Sequence, residues 1–280
     1  MVGLGLAAPL LLAEGAWPRA RSGLALGRRW LANLAALIAA TLTQRWLPQI
    51  SLVTAALAAQ RLGWGFFNVY AAPELVAVAV SWLALDLCGY LVHRAEHASK
   101  LLWRLHRVHH SDPDVDVTTT YRFHPFEVVL RAAALVALTF ALGVPLAAVA
   151  GYLLLSAVTS PFSHANLSLP AALERALGWL VITPRIHRTH HSLDAVDSAS
   201  NLAVCLSVWD RLFGTYREAP SRGWDGLRFG VPERTAGEAT SILRLLVDPF
   251  LPAQSTRALA GAERCSPPDT ALTPSAAPHA

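Results

Sequence analysis

The sequence has little charge, and this shortage argues against an ordinary soluble domain. Charged residues make up 15% of the 280 residues, whereas average soluble chains carry about 25%. Hydrophobic residues make up 54% of the chain, and the mean hydropathy is +0.39. A chain with so much apolar and so little charged surface is expected to lie in a membrane.

Cysteine and lysine are also scarce. The three cysteines, Cys88, Cys205 and Cys265, have no close spacing, which argues against a disulfide framework and against a paired-cysteine metal site. Only one of the 23 basic residues is a lysine, and most of the arginines lie between apolar stretches. That distribution is typical of the loops of a membrane protein rather than of a nucleic-acid surface, so no nucleic-acid partner is expected.

Apolar stretches dominate the first half of the chain. Segments 28–42 and 50–59 are shorter than the roughly 20 residues that a simple membrane span needs. Segment 74–92 is long enough and contains one internal charge, Asp86. An ionised carboxylate inside an apolar helix is costly and usually functional, so Asp86 is a candidate site residue.

Histidine is abundant where other polar residues are few. Five of the 11 histidines lie between positions 93 and 110, and the pattern H-x-x-H-H occurs both at 106–110 and at 187–191. On a helix, residues three and four apart share a face, so each pattern is expected to aim its imidazoles one way. Imidazole suits Fe, Zn, Cu and Ni, and one ion takes about four to six ligands. Eight histidines therefore predict a site for two ions, held by His93, His97, His106, His109, His110, His187, His190 and His191.

Further residues are candidates for the same site. His124 in "RFHPFE" and His164 in "SHANL" are possible additional ligands, whereas His279 in the tail is not. Asp86 shares a helical face with Tyr90, His93 and His97, so we expect it to accept a hydrogen bond from a ligand imidazole. The alternative for Asp86 is a salt bridge to an arginine.

Carboxylates close to the histidines are expected to offset the charge of the ions. The candidates are Glu96, Asp112 and Asp194. Glu96 also completes the motif H-x-x-E-H in "HRAEH" (93–97), the pattern of a zinc protease in which the glutamate is the general base. A zinc hydrolase is therefore one alternative, and a non-catalytic metal-binding membrane protein is another. Replacing His190 with alanine is expected to separate a two-metal site from the hydrolase.

The position of the histidines constrains the apolar segment between them. Segment 132–158 carries no charge, but Gly143 and Pro145 interrupt its middle. If the histidines on both sides share a site, the chain must enter the bilayer and return. We therefore predict a helical hairpin that turns at Gly143–Pro145, with arms of about 15 residues, rather than one long kinked span.

Taken together, the three histidine motifs and the words around them resemble the fatty acid hydroxylase / sterol desaturase superfamily of integral-membrane oxygenases, in its bacterial members. The words are "LLWRLHRVHHSDPDVDVTTTYRFHPFE", "FSHANLSLP", "TPRIHRTHHS" and "WDRLFGTY", and the likeness covers roughly residues 25–220. The resemblance implies two iron ions bound by the eight histidines, O₂ as co-substrate and electrons from a separate donor protein. It also implies His164 as a further ligand, within a word shared with Asn166.

The expected architecture is all-α, a polytopic membrane helical bundle with a cytosolic helical cap that holds the histidine site. We expect a peripheral segment at 1–25, the oxygenase domain at 26–218, an extension at 219–251 and a disordered tail at 252–280. The expected place is the bacterial inner membrane, with the histidines facing the cytoplasm. The expected reaction is hydroxylation or desaturation of a lipid from the bilayer, such as a sterol or a fatty acyl chain.

Overall fold

The computed structural model describes residues 2–20, 26–47, 51–70 and 72–251. Within these ranges the regular elements are helices, joined by loops that form isolated β-bridges. This confirms the all-α prediction, while the tail expected to be disordered, 252–280, lies outside the described residues. The α-helices are α1 (Val2–Ala16), α2 (Leu26–Trp46), α3 (Leu52–Leu62), α4 (Phe66–Val69), α5 (Glu74–Ala98), α6 (Lys100–His110), α7 (Pro125–Leu142), α8 (Leu146–His164), α9 (Ala171–Leu177), α10 (Pro184–His190), α11 (Ala195–Ser198), α12 (Val208–Leu212), α13 (Ala236–Ala239) and α14 (Ile242–Val247).

Among the described residues, the helices α5, α7 and α8 are long and apolar enough to cross a membrane. They expose large apolar side chains such as Leu75 and Leu154, which would be unfavourable in water and suits contact with lipid. The protein is therefore an integral membrane protein with a polytopic helical architecture, as its composition predicts. Segment 74–92 corresponds to most of α5, and segment 132–158 is divided between α7 and α8.

The predicted hairpin is confirmed, and the alternative of one long kinked span is wrong. Helix α7 ends at Gly143, whose φ of 63° is left-handed, and its N–H bonds back to the carbonyls of Thr139 and Phe140. Helix α8 begins directly after Pro145, which cannot continue α7. The arms have 18 and 19 residues, somewhat longer than expected.

Antiparallel packing brings three helix ends together. Helix α5 packs against both α7 and α8, around a core that includes Leu85, Ala148, Val149 and Tyr152. The chain runs one way in α5 and α8 and the other way in α7. As a result, the end of α5, the start of α7 and the end of α8 lie at the same end of the bundle, where α6 and α10 meet them.

At the opposite end of the bundle, the backbones of Gly65 and Gly143 are in close contact. Gly65 has a φ of +99°, and a Cβ built on it would lie 2.2 Å from the backbone nitrogen of Gly143. This distance leaves no room for a side chain between backbones that touch. Gly65 is therefore required by both its conformation and its contact.

Replacing Gly65 with alanine is expected to lower the free energy of unfolding by about 2–4 kcal/mol, because backbone must shift at the hairpin turn. Thermal unfolding of the purified protein in detergent measures the effect. Gly27→Ala is the matched control, since a Cβ there meets nothing within 4 Å. Equal unfolding temperatures for the two variants would contradict the close contact.

A polar layer covers the histidine end of the bundle. Its centre is Arg122, which is fully buried and donates to the carbonyls of Val108 and Ala239 and to the side chains of Asn33 and Ser111. These bonds join α6, α2 and the end of α13. Burial lowers the pKa of the Arg122 guanidinium, and the Asp112 carboxylate opposes that effect.

Candidate metal centre

Nine histidines converge at this end of the bundle in two groups. Within each group, one nitrogen of every imidazole lies within 4.8 Å of the corresponding nitrogen of all the others. Eight of the nine are buried, and His97 is partly buried. Group A consists of His93, His97, His106, His110 and His190, and group B consists of His109, His164, His187 and His191.

Each H-x-x-H-H motif is divided between the two groups. In α6, His106 and His110 belong to group A and His109 to group B. At α10 the division is reversed, since His187 and His191 belong to group B and His190 to group A. The expectation that each motif aims all its imidazoles one way is therefore wrong. Successive helical residues differ by about 100° in direction, so adjacent histidines point to different groups.

The Nε2 atoms face one another inside each group. In group A, the Nε2 atoms of His93 and His106 are 3.0 Å apart. In group B, His164 Nε2 lies 3.0 Å from that of His187 and 3.2 Å from that of His109. With a metal–nitrogen distance of about 2.1 Å, two ligands at right angles are about 3.0 Å apart. The nitrogen positions therefore fit ions bound through Nε2.

Unpartnered nitrogens support the same conclusion for group A. The Nε2 atoms of His97, His110 and His190 are buried and have no hydrogen-bond partner within the described part of the chain. A buried polar atom without a partner is unfavourable by about 1–3 kcal/mol. A cation bound between these nitrogens would remove that penalty.

The outer nitrogens of several imidazoles are held by the protein. His93 Nδ1 lies 2.7 Å from the carbonyl oxygen of Leu202, and His190 Nδ1 lies 2.8 Å from that of Ser200. In group B, His164 Nδ1 lies 2.8 Å from the carbonyl oxygen of Ser160. Because a carbonyl can only accept, each Nδ1 must carry the proton, and each Nε2 lone pair faces the group.

Burial keeps these imidazoles neutral. Desolvation lowers the pKa of His106, His109 and His110 far below its usual range, and neighbouring histidines lower it further. It lowers the pKa of His190 to about 3. Neutral imidazole is the form that binds metal, so the groups are competent ligands at neutral pH.

Two glutamates and an arginine border group A. His106 Nδ1 donates to Glu127 Oε1 at 2.7 Å, and both residues are fully buried. Arg131 donates through two nitrogens to the Glu96 carboxylate and also lies 3.2 Å from Glu127. Glu127 was not predicted from the sequence. A carboxylate in the first turn of an apolar helix was the signal that could have identified it.

The structure gives Asp86 a different role from both expectations. Its Oδ2 accepts from the indole N–H of Trp209 at 2.8 Å and from the backbone N–H of Leu206 at 3.2 Å. It therefore contacts neither a ligand imidazole nor an arginine among the described residues. The predicted polar face of α5 exists, but Asp86 and Tyr90 lie too far up the helix to reach the histidines. Tyr90 instead contacts the hydroxyl of Thr215.

The "WDRLFGTY" word supports the site indirectly. Asp210 accepts from the backbone N–H groups of Leu202 and Ala203 and from the Thr215 hydroxyl. This fixes the loop whose Leu202 carbonyl faces His93. The role of this segment is therefore structural.

Three further predicted polar residues lie away from the histidines. The Asn166 side chain pairs with the backbone of Ala20. Asp112 bonds Arg29, and Asp194 caps α11. None of these side chains touches group A or group B, so only Glu96 among the five proposed outer residues borders the site.

His124 is the one predicted ligand that the structure places outside both groups. Its Nδ1 accepts from the backbone N–H of Phe126 as the N-cap of α7, and its Nε2 lies 3.1 Å from the carbonyl oxygen of Leu246. Both nitrogens are therefore in use. His124 is the N-cap of α7, so its side chain bonds the first turn of that helix instead of turning toward the two groups.

His124→Asn is expected to leave metal content unchanged and to lower stability by no more than about 1 kcal/mol, because asparagine also caps helices well. Metal analysis of the purified variant, together with its unfolding temperature, checks this. Loss of an ion from the variant would restore His124 to the ligand set.

The fold and the site define a membrane helical bundle with two histidine groups at one end. Residues 78–215, which contain all nine histidines, match the family model described as fatty acid hydroxylase. The matched region is just under half of the chain, and through it the chain is similar to the fatty acid hydroxylase family. This confirms the resemblance seen in the sequence.

Curated relatives are lipid-modifying enzymes. An ornithine lipid hydroxylase of Rhizobium tropici is 31% identical over 151 residues, which cover 53% of this chain and 44% of that protein. An alkylglycerol monooxygenase of Xenopus tropicalis is 28% identical over 137 residues, covering 49% of this chain and 30% of that protein. A fatty acid hydroxylase of a Lecanicillium species is 28% identical, covering 48% and 40%. The matches thus span less than half of these relatives, and no solved structure matches the chain.

Proposed function

We propose that this protein is a membrane-bound di-iron oxygenase that hydroxylates a lipid. The observation that carries the proposal is the division of nine histidines into two groups, each with the nitrogen spacing of a metal site. Iron bound there would supply the one-electron and O₂ chemistry that side chains lack. The ions would be held by group A and group B, and Glu127 and the Leu202 carbonyl would orient two of the imidazoles.

A cavity between the groups is where the substrate is proposed to react. Its volume is about 40 Å³, and besides histidines of both groups its border includes apolar Phe123 and Val204 and polar Arg131, Ser160 and Ser163. Phe123 stacks on His109 with ring centroids 4.5 Å apart. The apolar part of the border would favour contact with a hydrocarbon segment.

A lipid is the proposed substrate because the site lies at the end of the membrane-crossing helices. An acyl or alkyl chain can reach such a site without leaving an apolar environment. The relatives named above are a hydroxylase of ornithine lipid, a monooxygenase of alkylglycerol and a fatty acid hydroxylase. Those names favour hydroxylation over desaturation.

The proposed orientation places the histidines on the cytoplasmic side of the bacterial inner membrane. Arg94 and Arg104 lie at the histidine end, whereas the connections 63–70 and 143–145 at the other end carry no charge, and Arg61 lies beside them. Positive charge favours the cytoplasmic side. A separate cytoplasmic protein is proposed to deliver the electrons.

The zinc-hydrolase alternative loses its general base in this structure. Glu96 is engaged by two nitrogens of Arg131, and the two histidines of "HRAEH" are joined in group A by three others. Since His190 belongs to that same group, His190→Ala does not separate the two functions. A residue of group B is the better choice.

Comparing lipid extracts of a deletion strain and its parent by mass spectrometry tests the proposal. The parent is expected to contain a lipid heavier by one oxygen atom, and the deletion strain its precursor. The purified protein is expected to hold about two irons and to convert the precursor when given O₂ and a reductant. Expression can load zinc instead, because affinity alone does not select iron. Identical lipid extracts together with an iron-loaded but inactive protein would contradict the proposal.

A further inference from the structure

An arginine-lined cavity lies beside α9 and α10, away from the cavity between the histidine groups. Its volume is about 250 Å³, and its border includes Arg175, Arg185, Arg211, Trp179 and Tyr216. Two of these residues, Arg211 and Tyr216, belong to the "WDRLFGTY" word. The dimetal centre does not use any of the three arginines.

The guanidinium of Arg211 is fixed between two aromatic rings. It lies 3.9 Å from the ring centre of Trp179 and 3.7 Å from that of Tyr216. One of its nitrogens donates to the carbonyl of Gly178. Since both faces are covered, only the edge of the guanidinium remains for hydrogen bonding, and that edge is the part that binds carboxylate and phosphate oxygens.

The arginines that border this cavity outnumber its carboxylates. Arg175, Arg185 and Arg211 form no ion pair within the described ranges, and the Nε atoms of Arg185 and Arg211 are buried without an acceptor. Two carboxylates, Glu174 and Glu218, also border the cavity, and Arg19 pairs with Glu174. The missing acceptors are therefore those that an anion would provide.

Exposed apolar side chains lie next to the arginines. Trp179, Leu180 and Leu212 are each 66% exposed. Their two segments are joined, because Ser207 donates to the carbonyls of Leu180 and Gly178. The same α12 segment reaches α5 where Trp209 bonds Asp86, inside a candidate membrane span. The apolar rim therefore lies at the depth of the lipid, with tryptophan at the boundary.

We propose that this cavity binds the phosphate of an anionic phospholipid, with Arg175, Arg185 and Arg211 contacting the phosphate and the rim of Trp179, Leu180 and Leu212 contacting the acyl chains. The three arginines form no ion pair, and the Nε atoms of Arg185 and Arg211 lack an acceptor, which favours an anion. The exposed rim at membrane depth selects a lipid over a free phosphate. The site is separate from the reacting cavity and does not depend on the oxidative function.

The test compares three probes on the purified protein in detergent: dioctanoyl phosphatidylglycerol, dioctanoyl phosphatidylcholine and inorganic phosphate. Native mass spectrometry and the shift of the unfolding temperature report binding. Phosphatidylglycerol is expected to bind at least about tenfold more tightly than either other probe. Equal binding of phosphatidylcholine would overturn recognition of the anion, and equal binding of inorganic phosphate would overturn the lipid source.

Substitutions of the arginines test where on the protein phosphatidylglycerol binds. The Arg185→Gln/Arg211→Gln double variant is expected to weaken phosphatidylglycerol binding about tenfold or more, while Arg61→Gln, an exposed arginine at the opposite end, is not. If the double variant does not fold, the exposed Arg175→Gln replaces it, with an expected loss of about threefold. Wild-type affinity in a folded variant of the set would overturn the assignment.

Discussion

Replacing His191 with alanine is expected to lower bound iron from about two ions to about one per chain and to abolish lipid oxidation. His191 is one of the four histidines of group B among the described residues, and its Nε2 lies 3.2 Å from that of His187. Three ligands hold an ion less firmly than four, and a site without its ion loses several kcal/mol of catalysis, about a thousandfold or more in rate. Metal analysis and the mass of the lipid product measure both effects.

His124→Asn is the control for the His191 variant, because it changes a buried histidine that lies in neither group. A zinc hydrolase built on "HRAEH" would keep its metal and its activity in His191→Ala, since its histidines belong to group A. Full lipid oxidation by His191→Ala would refute the two-ion proposal. Loss of folding is distinguished by the unfolding temperature, which is expected to change little.

Replacing Glu127 with glutamine is expected to weaken metal binding by group A about 10- to 100-fold, the usual effect of removing a carboxylate that orients a ligand histidine. Glutamine keeps the size of Glu127 but lacks the charge that strengthens its bond with His106 Nδ1. Dialysis against graded chelator, followed by metal analysis, measures retention. Because the readout is metal retention, it does not depend on knowing the substrate.

Glu96→Gln is the matched control for the Glu127 variant. Both carboxylates are buried and both contact Arg131, but Glu96 lies 3.8 Å from His106 Nδ1 and forms no hydrogen bond with it. We expect a smaller loss of metal from Glu96→Gln. Equal losses would show that the charge of the Glu–Arg cluster, rather than orientation of His106, controls metal binding.

Much of the architecture could be predicted because it depends on local properties. The length of segment 74–92 and the break at Gly143–Pro145 predicted α5 and the hairpin, since span length and helix breaking are set by a few neighbouring residues. The histidines on both sides of the hairpin predicted that its two outer ends lie at the same end of the bundle. The resemblance to the family could be seen for the same reason, because each histidine motif lies within a short segment of the sequence.

Contacts between distant segments could not be predicted in the same way. The carboxylate at Asp86 was visible in the sequence, but its partner, Trp209, lies 123 residues further along the chain. Glu127 reaches His106 across 21 residues and a change of helix. The sequence favoured His164 over His124 as a ligand but could not exclude His124. In the structure the start of α7 turns His124 toward Leu246, while the end of α8 brings His164 into group B.

By itself the sequence determined that this is a helical membrane protein with enough histidines, at helical spacing, for two ions. Only the tertiary structure decided which histidine belongs to which group, and that His109 and His110 face different groups. The helical period fixes the angle between two neighbouring imidazoles. What each imidazole meets depends on where α5, α8 and α10 cross α6, and those crossings are set by packing between residues far apart in the chain.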